Sequence, residues 1–162
     1  FKYCIKQIKY NSKINNLKNI KTIKCCLHNR EKITQIDYSK GIGSASIVRN
    51  FGTKKKYVRT IQLDSLIKKN SLSIINFIKL DIEGAEIFAL QGAKQILKKD
   101  KPKLSIECEK KDFIKLNFFL NKYGYLPFLF DKNGILRRVY KIYKKEACVI
   151  FINKNNLNYK FV

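Results

Sequence analysis

The sequence predicts an α/β fold with a largely parallel sheet and an antiparallel C-terminal edge. Two observations carry this. Short apolar runs alternate with amphipathic stretches from residue 20 onward, the order expected of βαβ units. The run Phe77-Ile-Lys-Leu-Asp-Ile82 is apolar on both faces, as a central parallel strand must be, and passes at once into Gly84 and a helix-forming stretch. Ligands of such sheets bind beyond the carboxyl ends of the strands. Asp81 and Glu83 therefore stand where chemistry is expected.

Each element follows from local pattern. Residues 1–19 read as a helix with Cys4, Ile5, Ile8 and Leu17 on one side, stopped by Asn15, Asn16 and Asn19. Residues 20–27 read as a strand, and His28-Asn-Arg-Glu31 as a turn with His28 at the surface. Residues 33–38 form another strand, 41–46 a loop of small residues, 54–56 a flexible basic run and 58–63 an extended segment. Asp64 is placed to cap a short helix over 65–70. The central strand covers 74–81. One helix covers 85–99, with Ala89, Leu90, Ala93, Ile96 and Leu97 as its packed face. Lys103–Glu109 is a strand after Pro102, and residues 111–123 form an amphipathic helix closed by Gly124. Residues 126–130 and 135–140 make a hairpin around Asp131-Lys-Asn-Gly134, and 147–153 is the last strand. No linker or repeat interrupts the chain, giving one domain over 1–153 and an Asn- and Lys-rich tail, 154–162, expected to fray.

Composition narrows the function classes. With 162 residues and 45% apolar content the chain can bury a core, and it has no apolar run of the roughly 18 residues a membrane span needs. It contains no methionine and begins at Phe1, which leads to the expectation of a piece of a longer protein. The five cysteines are odd in number and form no C-x-x-C pair, so neither a zinc cluster nor a disulfide framework is read, and no metal is assigned. Cys108 and Cys148 lie in apolar runs and read as buried reduced thiols, which fits the cytoplasm.

The net charge of +23 invites a nucleic-acid reading. It is uneven: residues 1–80 hold eighteen bases and three acids, residues 81–162 seventeen and nine. Yet nearly all the bases are Lys, and Lys, Asn and Ile are what AT-rich codons specify. Arg forks for phosphate or guanine are scarce. A non-catalytic basic module binding nucleic acid or another polyanion is the alternative reading, not the first.

The residues themselves resemble a family. Phe77-Ile-Lys-Leu-Asp-Ile-Glu-Gly-Ala-Glu86, then Leu90-Gln-Gly-Ala93, with Ile61-Gln-Leu-Asp64 and Ser44-Ala-Ser46 upstream and Pro102-Lys-Leu-Ser-Ile-Glu107 and Tyr123-Gly-Tyr125 downstream, are similar to FkbM-type S-adenosylmethionine-dependent methyltransferases. The resemblance covers about residues 8–130. It implies a class I methyltransferase fold, a Rossmann-like doubly wound sheet, with S-adenosylmethionine as cofactor. It further implies O-methylation of a hydroxyl on a small molecule such as a secondary metabolite, a sugar or a glycan. The chain departs from the family by lacking the glycine-rich cofactor loop after the first strand and the acidic residue after the second. These missing N-terminal strands would lie between the strands at 20–27 and 74–81. A gap in the sheet and weak cofactor binding, with an inactive isolated chain, are therefore expected.

Roles follow by residue type. Asp81 is a candidate base or substrate-orienting group, or a helix cap; it is counted with both the catalytic and the cofactor-binding residues. Glu107 ends its strand as Asp81 does, and Lys79, on the same side as Asp81 by period two, is expected to pair with Asp81 or Glu107. Glu83 is either an anchor for substrate or metal or a residue favouring the positive helix end, with Gly84 giving close approach or an unusual φ and Glu86 a solvated or first-turn residue. Ser44 and Ser46 are substrate-binding candidates. In the class that the chain resembles, adenine sits near the end of the strand at 20–27, which nominates Cys26 and Leu27.

Overall fold

A computed structural model describes residues 2–157. In chain order it contains α1 (Lys2–Ile14), β1 (Cys26–Leu27), β2 (Lys32–Asp37), β3 (Lys55–Ile61), α2 (Leu63–Lys69), β4 (Phe77–Leu80), α3 (Glu86–Gln91), α4 (Lys94–Lys99), β5 (Lys103–Glu109), α5 (Lys110–Asn121), β6 (Tyr125–Phe130), β7 (Leu136–Arg138) and β8 (Glu146–Asn153). The α/β class holds, but the strands lie in two mixed sheets. One has the order β1-β3-β2, the other β4-β5-β8-β6-β7. Pairing is parallel between β1 and β3 and between β4 and β5, and antiparallel elsewhere.

The larger sheet is built around β5, where Leu104 and Ile106 are fully buried. Ile78 and Leu80 of β4, Val149 and Phe151 of β8, and Phe113, Leu116 and Leu120 of α5 join them in one core with Leu90, Ile96 and Leu97 of α3 and α4. Each such side chain contributes on the order of 1.5–3 kcal/mol through burial. The second face of the strand run 77–80 is not covered: Phe77 is 56% exposed and the burial alternates. Among the described residues β4 is an edge strand with β5 as its neighbour, not a central one. Its apolar residues on both faces had read as two-sided cover.

Other differences have local causes. Only Cys26 and Leu27 of the segment 20–27 pair, with Thr60 and Ile61, while Ile20 and Ile23 remain exposed. The basic run at 54–56 is not a loose loop, because β3 starts at Lys55. Cys108 is buried but Cys148 is exposed, as it faces the open side of β8. The expected single helix over 85–99 is broken between α3 and α4 at Gly92 and Ala93. There the turn after β1 presses on the helix: a Cβ on Gly92 would lie 2.4 Å from the carbonyl oxygen of His28. Asn29 Nδ2 donates to Gln91 Oε1 at 2.8 Å and Gln62 Nε2 to the Asn29 carbonyl at 2.8 Å. His28 is consequently buried rather than a surface turn residue, stacked on Phe88 at 4.8 Å. Burial, with Lys32 and Arg30 nearby, pushes its imidazole below its usual value.

Asp64 lies in the first turn of α2 but caps a different helix. Its carboxylate accepts from the Gln95 and Ile96 N–H groups of α4 at 2.9 and 3.1 Å, satisfying two donors a helix start leaves open. The hairpin of β6 and β7 forms as expected, with Gly134 at φ +75°. Beyond β8, Lys154–Asn156 makes a 3-10 turn in which the Asn153 side chain accepts from the Asn155 N–H. The remainder of the predicted tail, 158–162, lies outside the described residues.

Gly92→Ala is expected to lower the unfolding free energy by about 1–3 kcal/mol, since backbone must move to admit the methyl. Gly43→Ala, with nothing within 4 Å, is expected to stay within about 0.5 kcal/mol. Urea unfolding of both variants measures the contrast.

Candidate functional site

The parallel register of β4 and β5 sets Leu80 opposite Ile106, so the next residues, Asp81 and Glu107 (one step beyond that pair), emerge side by side at the carboxyl ends. Lys79 Nζ lies 2.9 Å from Asp81 Oδ2, the ion pair expected from the sequence. With a proton on Glu107, the neighbouring Asp81 and Glu107 carboxyls can form a hydrogen bond. That bond, burial and the neighbouring charges of Asp81, Glu146 and Glu83 push Glu107 up to about 7 from its ordinary 4.5. Asp81 is held below its usual range by its hydrogen bonds with Lys79 and Glu107. Two carboxylates this close cannot both ionise freely, so they titrate as a pair in which Glu107 keeps the proton longest.

The turn after β4 is conformationally specialised. Glu83 has φ +56° and Gly84 φ +94°; a left-handed conformation at a non-glycine residue is uncommon and concentrates at functional sites. The Ile82 and Gly84 N–H groups donate to Glu86 Oε1 at 3.1 and 3.2 Å. Glu86 is thus a buried first-turn residue holding the turn, not a solvated one. A Cβ on Gly84 would lie 3.0 Å from Arg49 Nε, so both the close approach and the unusual φ expected there are present.

Arg49, not singled out in the sequence, organises this end of the sheet. Its Nη1 bonds Glu83 Oε2 at 2.8 Å and its Nη2 bonds Glu109 Oε1. Lys111 also reaches Glu109, at 2.8 Å, and its hydrogen bond, with Arg49 behind it, holds that carboxyl below its usual range. Ser46 is buried and its hydroxyl donates to the Glu83 carbonyl at 2.8 Å while accepting from the Val48 and Arg49 N–H groups. Its bonding is made within the protein, fastening the loop that carries Arg49. Together Asp81, Glu83, Glu86, Glu107, Glu109, Asp112 and Glu146 gather seven of the chain's twelve acids at one end of the sheet. Among the described residues no set of three His, Cys, Asp or Glu side chains is arranged to hold a metal ion.

A cleft of about 540 Å³ opens between the two sheets, within the range of small-molecule sites. Cys25, Cys26, Leu27, Ile36, Ala45 and Ile47 wall it, and Asp81, Ile82 and Glu83 form its acidic side. Burial pushes the Cys25 and Cys26 thiols up, so they are neutral wall. The cofactor candidates Cys26, Leu27 and Asp81 therefore meet in one cleft with Glu83. Gly43 and Ala45 line it, whereas Ser44 and Ser46 are not among its lining residues. The signal for Arg49 was faint: it is one of five arginines in a chain dominated by Lys. Glu109 was legible in principle, two residues beyond Glu107 on the same side of β5.

A family model for the methyltransferase FkbM domain matches residues 4–127. The chain belongs to the FkbM methyltransferase family. A crystal structure of the methyltransferase FkbM from Methylobacillus flagellatus is similar in fold, with a TM-score of 0.56 at 17% identity over 91% of this chain. The match covers 32% of that protein, so the chain spans about a third of its length. No curated protein gives a significant match.

Carboxyl NMR titration is expected to show Glu107 with a midpoint near 7 and Asp81→Asn to move it down toward 4.5, since the charge that repels its ionised form is gone. The stabilising contribution of Glu107 is fully present below about 4.5 and lost as pH rises through about 7, because the folded state binds its proton more tightly. Unfolding curves at pH 5 and 8 for the wild type and Glu107→Gln check the sign.

Proposed function

We propose that the chain is an S-adenosylmethionine-dependent methyltransferase domain acting on a hydroxyl of a sugar, glycan or secondary metabolite, built on the class I Rossmann-like doubly wound frame and working in the cytoplasm. One observation carries the proposal: Asp81 is shared between a ligand-sized cleft and a carboxyl pair whose second member titrates near neutrality.

Cys26 and Leu27 would hold the flat ring of the cofactor, with Asp81 and Glu83 on its polar side. The cofactor supplies an electrophilic methyl group on a sulfonium centre. The protein supplies alignment, which can remove a large part of a bimolecular barrier, and a proton acceptor for the attacking hydroxyl. Asp81, ionised and steadied by Lys79, orients that hydroxyl, and Glu107 takes its proton. Ser44 remains a candidate for the acceptor at the loop. Ser46 serves it indirectly by fixing Glu83. The free thiols among the described residues support the reducing setting.

The test is binding mapped by NMR. S-adenosylmethionine, added at about millimolar concentration where weak association is visible, is expected to shift the resonances of Cys26, Leu27, Ile82 and Glu83. Shifts scattered away from the cleft, or none, would overturn the reading. In a methyl-transfer assay of this domain joined to the glycine-rich cofactor loop of the family, the rate is expected to rise with pH through about 7. Glu107→Gln is expected to flatten that profile and cost about 100-fold or more, while Lys79→Met lowers activity with little effect on the unfolding midpoint.

A further inference from the structure

The segment after the hairpin turn combines an acid-free basic run with exposed aromatic rings. Residues 132–145 hold six bases and no acid. Arg138 stands over the Tyr140 ring at 5.0 Å and Lys141 over the Tyr143 ring at 4.8 Å. Both tyrosines are 75% exposed, so each ring keeps a face open beside a cation. Ile142, between them, is 2% exposed and belongs to the main core, which pins the strip to the body of the protein. The strip runs from β7 back to the carboxyl end of β5: the Lys145 carbonyl accepts from the Lys110 N–H at 2.9 Å. The next residue, Glu146, adds its charge to Glu107. A basic, aromatic track therefore ends beside the carboxyl pair.

We propose that residues 138–145 are a docking strip for an anionic polysaccharide, and that the acceptor is a glycan bearing carboxylate or phosphate groups. The naming of the acceptor rests on the methyltransferase reading; the strip itself does not. Charge complementarity selects the partner. Exposed Lys141, Lys144 and Lys145 attract repeated anions without the paired Arg forks that read bases; the strip holds one arginine, Arg138, and Arg137 just before it is already bound to Asp131 at 2.8 Å. The free faces of Tyr140 and Tyr143 offer apolar platforms for the C–H faces of sugar rings. The acidic end of the track repels further anions and leaves a neutral hydroxyl as the group presented to Asp81 and Glu107.

The experiment is direct binding of polygalacturonate, neutral dextran and a single-stranded oligothymidylate to the full chain at several salt concentrations. Polygalacturonate is expected to bind with a steep salt dependence and dextran not to bind. Tyr140→Ala with Tyr143→Ala is expected to weaken binding about tenfold, the order of one or two lost stacking contacts. Lys141→Gln with Lys144→Gln is expected to shallow the salt slope by about two ions. Circular dichroism confirms that both double variants fold. Oligothymidylate bound more tightly than polygalacturonate would reassign the strip to nucleic acid and overturn the proposal, as would polygalacturonate binding that neither double variant changes. Strip binding without any S-adenosylmethionine shifts in the cleft would instead sink the enzymatic reading and leave the strip standing.

Discussion

The site end of this molecule depends on Arg49. One planar guanidinium bonds two carboxylates, Glu83 and Glu109, that come from different segments, a task for which a fork of fixed geometry suits and a lysine does not. It ties the loop after Ser46 to the turn after β4 and to the tip of β5. The side chains involved are a fifth to a quarter exposed, where ion pairs contribute modestly to stability. What Arg49 supplies is arrangement. With its charge between them, Glu83 can hold its left-handed backbone on the cleft wall while Glu109 stands at the end of the strand that carries Glu107.

Much of this was legible in the sequence, and the reasons for success and failure are physical. Period-two alternation and strand pairing suffice to bring Asp81 beside Glu107 and Lys79 beside Asp81, because in a parallel pair neighbouring strand ends face the same way. Local chemistry sufficed for the 131–134 turn and for Gly84. Long-range contacts were invisible. Nothing near His28 in the chain announces that its carbonyl will sit over Gly92, so the helix break and the burial of His28 could not be read. Asp64 looked like the cap of the helix it belongs to, yet it is thirty-one residues from the Gln95 N–H it accepts. Phe77 was misread because an apolar side chain in a strand does not say whether anything covers it.

Charge is sorted across the fold rather than spread over it. A chain with thirty-five bases and twelve acids places most of its acids around the carboxyl ends of β4 and β5. Repulsion among them is relieved by Arg49, by Lys79, by Lys111 and by the proton on Glu107. The basic excess elsewhere sets this acidic region apart in the charge distribution of the chain. Membership of the FkbM methyltransferase family and this polarity agree, since the sulfonium centre of the proposed cofactor is itself positive.

The edge position of β4 among the described residues has a consequence for handling the protein. An unpaired strand border is a template onto which another chain can zip, and an aromatic ring lying bare beside it, as Phe77 does, adds adhesion. Lys79, pointing out of the uncovered face with its ammonium held by Asp81, is the kind of charged guard that natural sheets use against such stacking. Concentrated, salt-rich samples, in which that guard is screened, are the conditions under which filaments or gels of this chain should first form.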